Sequence, residues 1–286
     1  MSGEQRRIAL LHPGQMGASV AADLIANGHS VGWCAEDRSE STRRRATEAG
    51  LTTYPDARTL LAHSDIVFSV CPPAAATELA AAVAPHAEDK IYVDANAVSP
   101  TTAEAVANII RAAGAQYVDG GIIGPPATKA GATRIYLSGE AASTIAALFQ
   151  NSALEAVCLG TAETAASALK VCFAAWTKGS SALLLNVAAL AHRLGQYDAL
   201  MAEWQQSLPT LQDQLHRDAE RNAPKSWRFV AEMEEIAKTF SAAGLNEGFH
   251  QGAADAYQRL AGFRDSDDAP QLDNVLRALL QSDKAP

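Results

Sequence analysis

Up to about residue 160 the chain alternates short β-type runs with alanine-rich helical runs, and beyond it no convincing β-type run remains. That change of texture limits the fold more than any bulk figure. Residues 8–11, 30–34, 66–70, 91–94 and 117–119 are short and rich in β-branched or aromatic side chains. The stretches between them carry helical spacing. Met16, Val20 and Leu24 fall at i, i+4 and i+8, and Asn27-Gly28 makes a helix stop. Strand and helix in alternation predict an α/β domain with a doubly wound parallel sheet, because consecutive parallel strands need a long crossover, usually a helix. Residues 134–138, 141–150 and 156–159 read as a strand, a helix and a strand extending that sheet. From residue 163 to residue 193 one helical run continues without proline, weakened only at Gly179. Further helical segments stop near Gly195, Pro209, Pro224 and Gly244. The expected organisation is an α/β domain over residues 1–162 and an all-α domain over residues 163–286.

Composition narrows the function classes. A chain of 286 residues exceeds one ordinary core, and 48% apolar with 19% charged residues is a globular balance. The net charge of −9 argues against a nucleic-acid or anionic-membrane partner, which would need an electropositive face. Cys34, Cys71, Cys158 and Cys172 form no C-x-x-C pair and have no histidine cluster nearby, so neither a disulfide framework nor a metal site is expected. Arg6-Arg7 precedes an apolar run that stops at His12-Pro13-Gly14, too soon for an export signal. No stretch is apolar enough over enough residues to span a bilayer. The expectation is a cytoplasmic protein acting on a small molecule.

The segment His12-Pro13-Gly14-Gln15-Met16-Gly17 follows the first β-type run and opens the first helix. It is a G-x-G-x-x-G dinucleotide fingerprint with His12 in place of the first glycine. Gly14 would let the backbone approach a pyrophosphate, Gly17 would let helix and strand pack closely, and the helix N-terminus offers unpaired N–H groups to the phosphates. Two glycines three apart also occur in ordinary strand-to-helix turns; the strand–turn–helix context favours the cofactor loop. The domain is therefore expected to be Rossmann-type: a doubly wound parallel sheet followed by an all-α C-terminal domain. At the end of the second β-type run stands Glu36-Asp37-Arg38-Ser39. An acidic residue there would bind the ribose 2′-hydroxyl of NAD, whereas Arg38 and Ser39 can bind a 2′-phosphate. Arg43 lies four residues after Ser39 and can close over the same phosphate. NADP is the expected cofactor. Arg44 and Arg45 read as solvated helix charges.

Taken in order, these segments resemble the β-hydroxyacid dehydrogenase and 6-phosphogluconate dehydrogenase superfamily, over most of the chain. His12–Gly17 resembles its cofactor loop and Arg38-Ser39 its NADP-selecting pair. Val70-Cys71-Pro72-Pro73 resembles the loop that packs on the cofactor, and Asp94-Ala95-Asn96-Ala97-Val98-Ser99-Pro100 the motif near the nicotinamide. Asp119-Gly120-Gly121-Ile122-Ile123-Gly124-Pro125 falls where the family has its substrate-binding glycine motif, and Lys170 matches the position of the catalytic lysine. The resemblance implies hydride transfer at a substrate carbon, with Lys170 as general acid or base. It also implies that Asn96 helps hold the cofactor and that Ser99, Gly121, Ile122 and Gly124 face the substrate. Ala174, Thr177 and Glu232 complete the expected substrate side.

The departures fall on that substrate side. Thr164 and Ala166 stand where the family has glycines before the lysine, and Phe173-Ala174 replaces its asparagine pair. Ile123-Gly124-Pro125 replaces the Ser-Gly-Gly that holds a substrate carboxylate, and the late Lys-Asp pair gives way to Glu232-Met233-Glu234-Glu235. A short 3-hydroxy acid is therefore not the expected substrate, and Glu232 or Glu235 would suit a cationic amine or imine. Three readings stand: a carbonyl or alcohol oxidoreductase using Lys170, an imine reductase or reductive aminase of the same architecture, or a cofactor-binding sensor without turnover. The resemblance further implies a homodimer through the helical domain, where the long apolar helix would otherwise leave a face uncovered.

Overall fold

The computed structural model describes residues 5–264 and 269–281. Eight strands form one sheet: β1 Arg7–Leu10, β2 Ser30–Cys34, β3 Thr52–Tyr54, β4 Ile66–Ser69, β5 Ile91–Asp94, β6 Gln116–Ile123, β7 Thr133–Ser138 and β8 Leu154–Cys158. Helices α1 Gln15–Ala26, α2 Glu40–Glu48, α3 Ala57–Ala62, α4 Ala76–Val83, α5 Pro100–Ala112 and α6 Ala142–Ala146 alternate with them. The strand order is β3-β2-β1-β4-β5-β6-β7-β8. All pairs are parallel except β6–β7, which are joined with no helix between them. The order reverses between β1 and β4, so the loops after these two strands flank a crevice at the carboxyl edge of the sheet.

Side-chain alternation builds two apolar layers. Ile8, Leu10, Val31, Phe68 and Val93 pack on one face with Val20 and Leu24 of α1. Ala9, Val67, Tyr92 and Tyr117 pack on the other with Val83 of α4 and Val106 and Ile110 of α5. Burial of both faces is why these strands read as continuous apolar runs. The three-residue edge strand β3 had no periodic signal to reveal it, because its residues Thr52 and Thr53 are exposed.

The remaining helices are α7 Ala165–Arg193, α8 Tyr197–Ser207, α9 Leu211–Asn222, α10 Ser226–Ala242, α11 Gly248–Arg259 and α12 Leu272–Leu280. Gly179 does not interrupt α7. A Cβ there would lie 3.1 Å from a ring carbon of Phe249, so the glycine permits close packing of α11. Phe229 meets Tyr257 edge-on at 5.2 Å between ring centroids, and Phe240 lies 4.3 Å from the His250 ring, joining α10 to α11. The chain divides into two compact units, one ending at Val171 and the other beginning at Cys172. The division thus falls inside α7 rather than before it at residue 162. The first turns of α7 pack on β6: a Cβ on Gly121 would sit 2.8 Å from the Ala166 carbonyl oxygen and 3.1 Å from Lys170 Cβ. Among the described residues no helix is long and apolar enough to cross a membrane, and no group of His, Cys, Asp or Glu is placed to hold a metal ion.

Candidate functional site

The loop after β1 has the geometry that a dinucleotide needs. Gly14 caps α1 with extended backbone, has no side-chain cap partner, and would have nothing within 4 Å of an added Cβ. The α1 N-terminus is therefore uncapped by any side chain and open beside Gly14. Gly17 is the opposite case: a Cβ there would lie 2.1 Å from the His12 carbonyl oxygen, so only glycine lets α1 start this close to β1. Pro13 is buried, Gln15 is exposed, and Met16 packs against the core. Arg45, expected to face solvent, donates from Nη1 to the Pro13 carbonyl at 3.1 Å and fastens α2 to this loop. Its side chain is long enough to reach back along the helix to the loop, a contact that charge spacing alone did not reveal.

Arg38 follows Asp37, which sits in the left-handed region (φ 55°) and turns the chain out of β2. The Arg38 Nη1 and His12 Nε2 atoms are 2.7 Å apart, so the end of β2 is joined to the residue that departs from the fingerprint. Ser39 is the N-cap of α2, its hydroxyl accepting from the Thr42 amide, and Arg43 Nε donates to the Arg38 carbonyl at 3.1 Å. A cavity of about 300 Å³ lies beside them, lined by Leu11, Cys34, Arg38, Leu60, Leu79 and Val83 among others. This slot, lined by apolar side chains, the Arg38 guanidinium and the Glu36 and Asp37 carboxylates, lies beside the glycine loop where the adenosine end of a dinucleotide would sit.

Asn96 is 3% exposed and fully engaged within the protein. Its Oδ1 accepts from the Cys71 amide at 2.6 Å, and its Nδ2 donates to Ser69 Oγ at 3.0 Å. It acts as a staple between the loops after β4 and β5. This fixes Val70 and Cys71 beside Gly17, whose added Cβ would lie 3.6 Å from Val70 Cβ. Pro72 is exposed on the same loop. Ser99 is 1% exposed and caps α5, accepting from the Thr102 amide at 3.2 Å, so its hydroxyl serves the helix end.

Between β6 and the start of α7 lies a buried polar cluster. Asp119 is 0% exposed and accepts from both the Ser167 amide (2.7 Å) and the Ser167 hydroxyl (2.5 Å). Ser138 accepts from the Ala166 amide at 3.1 Å and donates to Asp119 at 3.4 Å. A carboxylate at a helix N-terminus meets its orphan donors and its positive dipole end. Burial nevertheless pushes the Asp119 carboxyl up to about 6. This clamp fixes the start of α7 and so, one turn later, Lys170. The Lys170 Nζ donates to the Ile122 carbonyl at 2.7 Å, and burial lowers its ammonium from 10.5 to about 8. Gly121 leaves room for the helix, as above, while Gly124 (φ 127°) would place a Cβ 2.5 Å from the Ala132 carbonyl oxygen. The loop beyond it is fastened to α1, because the Ala127 amide donates to Ser19 Oγ at 2.6 Å. Ser138, Ser167 and Ser19 were not singled out in the sequence, and Asp119 only as the first residue of the glycine motif. The signal was present for Asp119 only, as the polar residue closing a buried strand.

Three expected substrate residues lie in the helical unit. Ala174 is buried, and the Thr177 hydroxyl is spent on the Phe173 carbonyl at 3.0 Å. Glu232 is paired with Lys178, whose Nζ also lies 4.5 Å from the Phe229 ring centroid. Glu235 accepts from Lys238 at 2.8 Å. Both carboxylates that were expected to face a substrate cation are thus engaged by protein cations. A carboxylate largely withdrawn from water takes a protein cation when one is within reach.

Residues 7–160 match the family described as the NAD binding domain of 6-phosphogluconate dehydrogenase, and residues 191–260 match a domain of unknown function, DUF1932. An uncharacterized 28.5 kDa protein of Methanothermus fervidus is 30% identical over 195 residues, 68% of this chain and 74% of its own. Among solved structures, a conserved hypothetical protein from Sinorhizobium meliloti is 24% identical with a TM-score of 0.71, covering 97% of each chain. The 3-hydroxyisobutyrate dehydrogenase of Mycobacterium tuberculosis is 19% identical with a TM-score of 0.70, covering 96% of this chain and 99% of its own. A reductive aminase from Aspergillus terreus, solved with NADPH, is 17% identical with a TM-score of 0.57 over the same shares.

Proposed function

The chain belongs to the family of the NAD-binding domain of 6-phosphogluconate dehydrogenase, and on that premise we propose that it is an NADP-dependent oxidoreductase of small carbonyl or hydroxy compounds with Lys170 as its acid–base group. The observation that carries the reading is a partly buried amine clamped at the carboxyl edge of a dinucleotide-binding sheet. When bound, the nicotinamide cofactor supplies or accepts a hydride. Gly14 and the first turn of α1 would hold the pyrophosphate, and Arg38, with Ser39 and Arg43 beside it, the 2′-phosphate. In reduction Lys170 donates a proton to the substrate oxygen, and in oxidation it takes that proton back. An ammonium brought to about 8 carries a proton at neutral pH and still releases it readily, which suits both directions. Asp119 and Ser167 position the lysine rather than touch the substrate.

A second reading, reduction of an imine, draws support from the substrate side. At the sequence positions where the family carries its carboxylate-holding asparagine and serine, this chain has Ala174 and Ile123, which offer neither an amide nor a hydroxyl side chain. Fluorescence titration with NADPH and NADH tests the cofactor. NADPH oxidation with a ketone alone, and with the ketone plus an amine, separates the two reactions. Lys170→Met should cut turnover by orders of magnitude with little change in NADPH affinity. Equal loss of both would refute the assignment of Lys170, and binding of neither nucleotide would refute the enzyme reading.

The same proposal includes a homodimer through α7. Phe173, Trp176, Leu183 and Leu190 are exposed on this helix, Trp176 by 75%, and Leu194 is exposed just past its end. With Ser180 and Val187 they continue a strict alternation of three- and four-residue steps, the spacing by which one helix packs along another. A second copy of the same stripe is self-complementary cover for it. Sedimentation at micromolar concentration should give a dimer, and Trp176→Glu with Leu183→Glu a monomer; a monomeric wild type would refute it.

A further inference from the structure

We infer that His12 is a specificity-determining positioning residue, holding the Arg38 guanidinium where a 2′-phosphate can meet it while leaving its charge unneutralised. The inference rests on the NADP reading above. The dinucleotide fingerprint has glycine where this chain has His12, so the imidazole is an addition to the loop rather than part of its backbone geometry. Its Nε2 lies 2.7 Å from Arg38 Nη1. A guanidinium can only donate, so Nε2 accepts and the ring proton resides on Nδ1. Burial, and then the neighbouring Arg38 charge, pushes the imidazole down to about 4, so the acceptor persists at neutral pH.

The identity of the partner matters. Glu36, Asp37 and Glu40 surround Arg38 in sequence, yet among the described residues none of them lies within ion-pair distance of its guanidinium. A carboxylate partner would fix the side chain but cancel the field that attracts a dianionic phosphate. A neutral imidazole fixes it without an ion pair, although Glu36 and Asp37 line the same cavity. Arg38 Nε and His12 Nδ1 are buried and have no partner among the described residues, so the pair is not held by a wider protein network. The carbonyl end of Arg38 is separately fixed by Arg43 Nε. With its backbone and one terminal nitrogen both restrained, the guanidinium needs less ordering when the phosphate arrives.

The experiment compares 2′,5′-ADP with 5′-AMP by isothermal titration on the cofactor-free protein, for wild type, His12→Gly, His12→Gln, Arg38→Ala and the His12→Gly/Arg38→Ala double variant. Wild type should prefer 2′,5′-ADP. His12→Gly should weaken 2′,5′-ADP about tenfold, a typical loss for one charge-assisted hydrogen bond, with 5′-AMP changed by less than about twofold. His12→Gln, another neutral acceptor, should restore part of the loss. The double variant should be no worse than Arg38→Ala alone, because the histidine acts only through the arginine. Imidazole nitrogen shifts of the wild type should show Nε2 unprotonated at neutral pH. A preference for 2′,5′-ADP that survives His12→Gly, equal loss of both ligands, or additive losses in the double variant would overturn the role of His12 alone. No wild-type preference would overturn the NADP reading, and this inference with it.

Discussion

Replacing Lys170 by methionine should make the cofactor-free protein more stable at neutral pH, even as it removes the proposed acid–base group. The folded-state ammonium lies at about 8 against an ordinary 10.5, so the folded protein binds this proton less tightly than the unfolded chain does. The penalty is fully present below pH 8 and fades as pH rises from about 8 towards 10.5. That difference amounts to ~3 kcal/mol at pH 7 and ~1 kcal/mol at pH 10. Methionine fills a similar volume without the charge but forfeits the bond to the Ile122 carbonyl, at a cost of ~1 kcal/mol. The expected net gain is therefore ~2 kcal/mol at pH 7 and ~0 at pH 10. Urea unfolding of both proteins at the two pH values measures it, and differencing cancels every other titrating group they share. A variant less stable than wild type at pH 7, or a gain equal at both pH values, would refute the desolvated amine. Loss of function with gain of stability is the usual signature of a group held in its environment for chemistry.

Gly17→Ala should abolish tight dinucleotide binding: its Cβ would sit 2.1 Å from the His12 carbonyl oxygen, and relief requires moving α1 or the loop. NADPH titration should show at least a tenfold loss, on the order of the 1–3 kcal/mol typical of overpacking; unchanged affinity would mean that the loop does not carry the phosphates. Asp119→Ala strips the Ser167 amide and hydroxyl of their acceptor and should cost ~1–3 kcal/mol in urea unfolding. The same change should lower kcat with NADPH affinity kept, and a stable variant of normal turnover would remove Asp119 from its positioning role. Glu232→Ala removes the carboxylate paired with the largely buried Lys178 and should lower the thermal midpoint. An unaltered midpoint together with a raised KM would return Glu232 to the substrate side.

The alternation of strand and helix, the glycine loop and the helix-only second half were legible in the sequence because each is a local pattern. Periodicity reports which face of an element is buried, and Gly17 reports a close approach that tolerates no Cβ. That Lys170 needs a polar partner was legible as well, since it is a lone amine among Ala166, Leu169 and Phe173. What that partner is belongs to tertiary structure. The Ile122 carbonyl is 48 residues away, and Asp119 reaches across the same span to hold Ser167. Asn96 looked like a cofactor ligand and serves as a staple; Glu232 looked available and is paired; Arg45 looked solvated and braces the glycine loop. A residue type states which bonds a side chain can make. Only the fold brings its partner within 3 Å, and in a buried site the nearest partner takes it, because an unmet polar group costs more than almost any bond it could form instead.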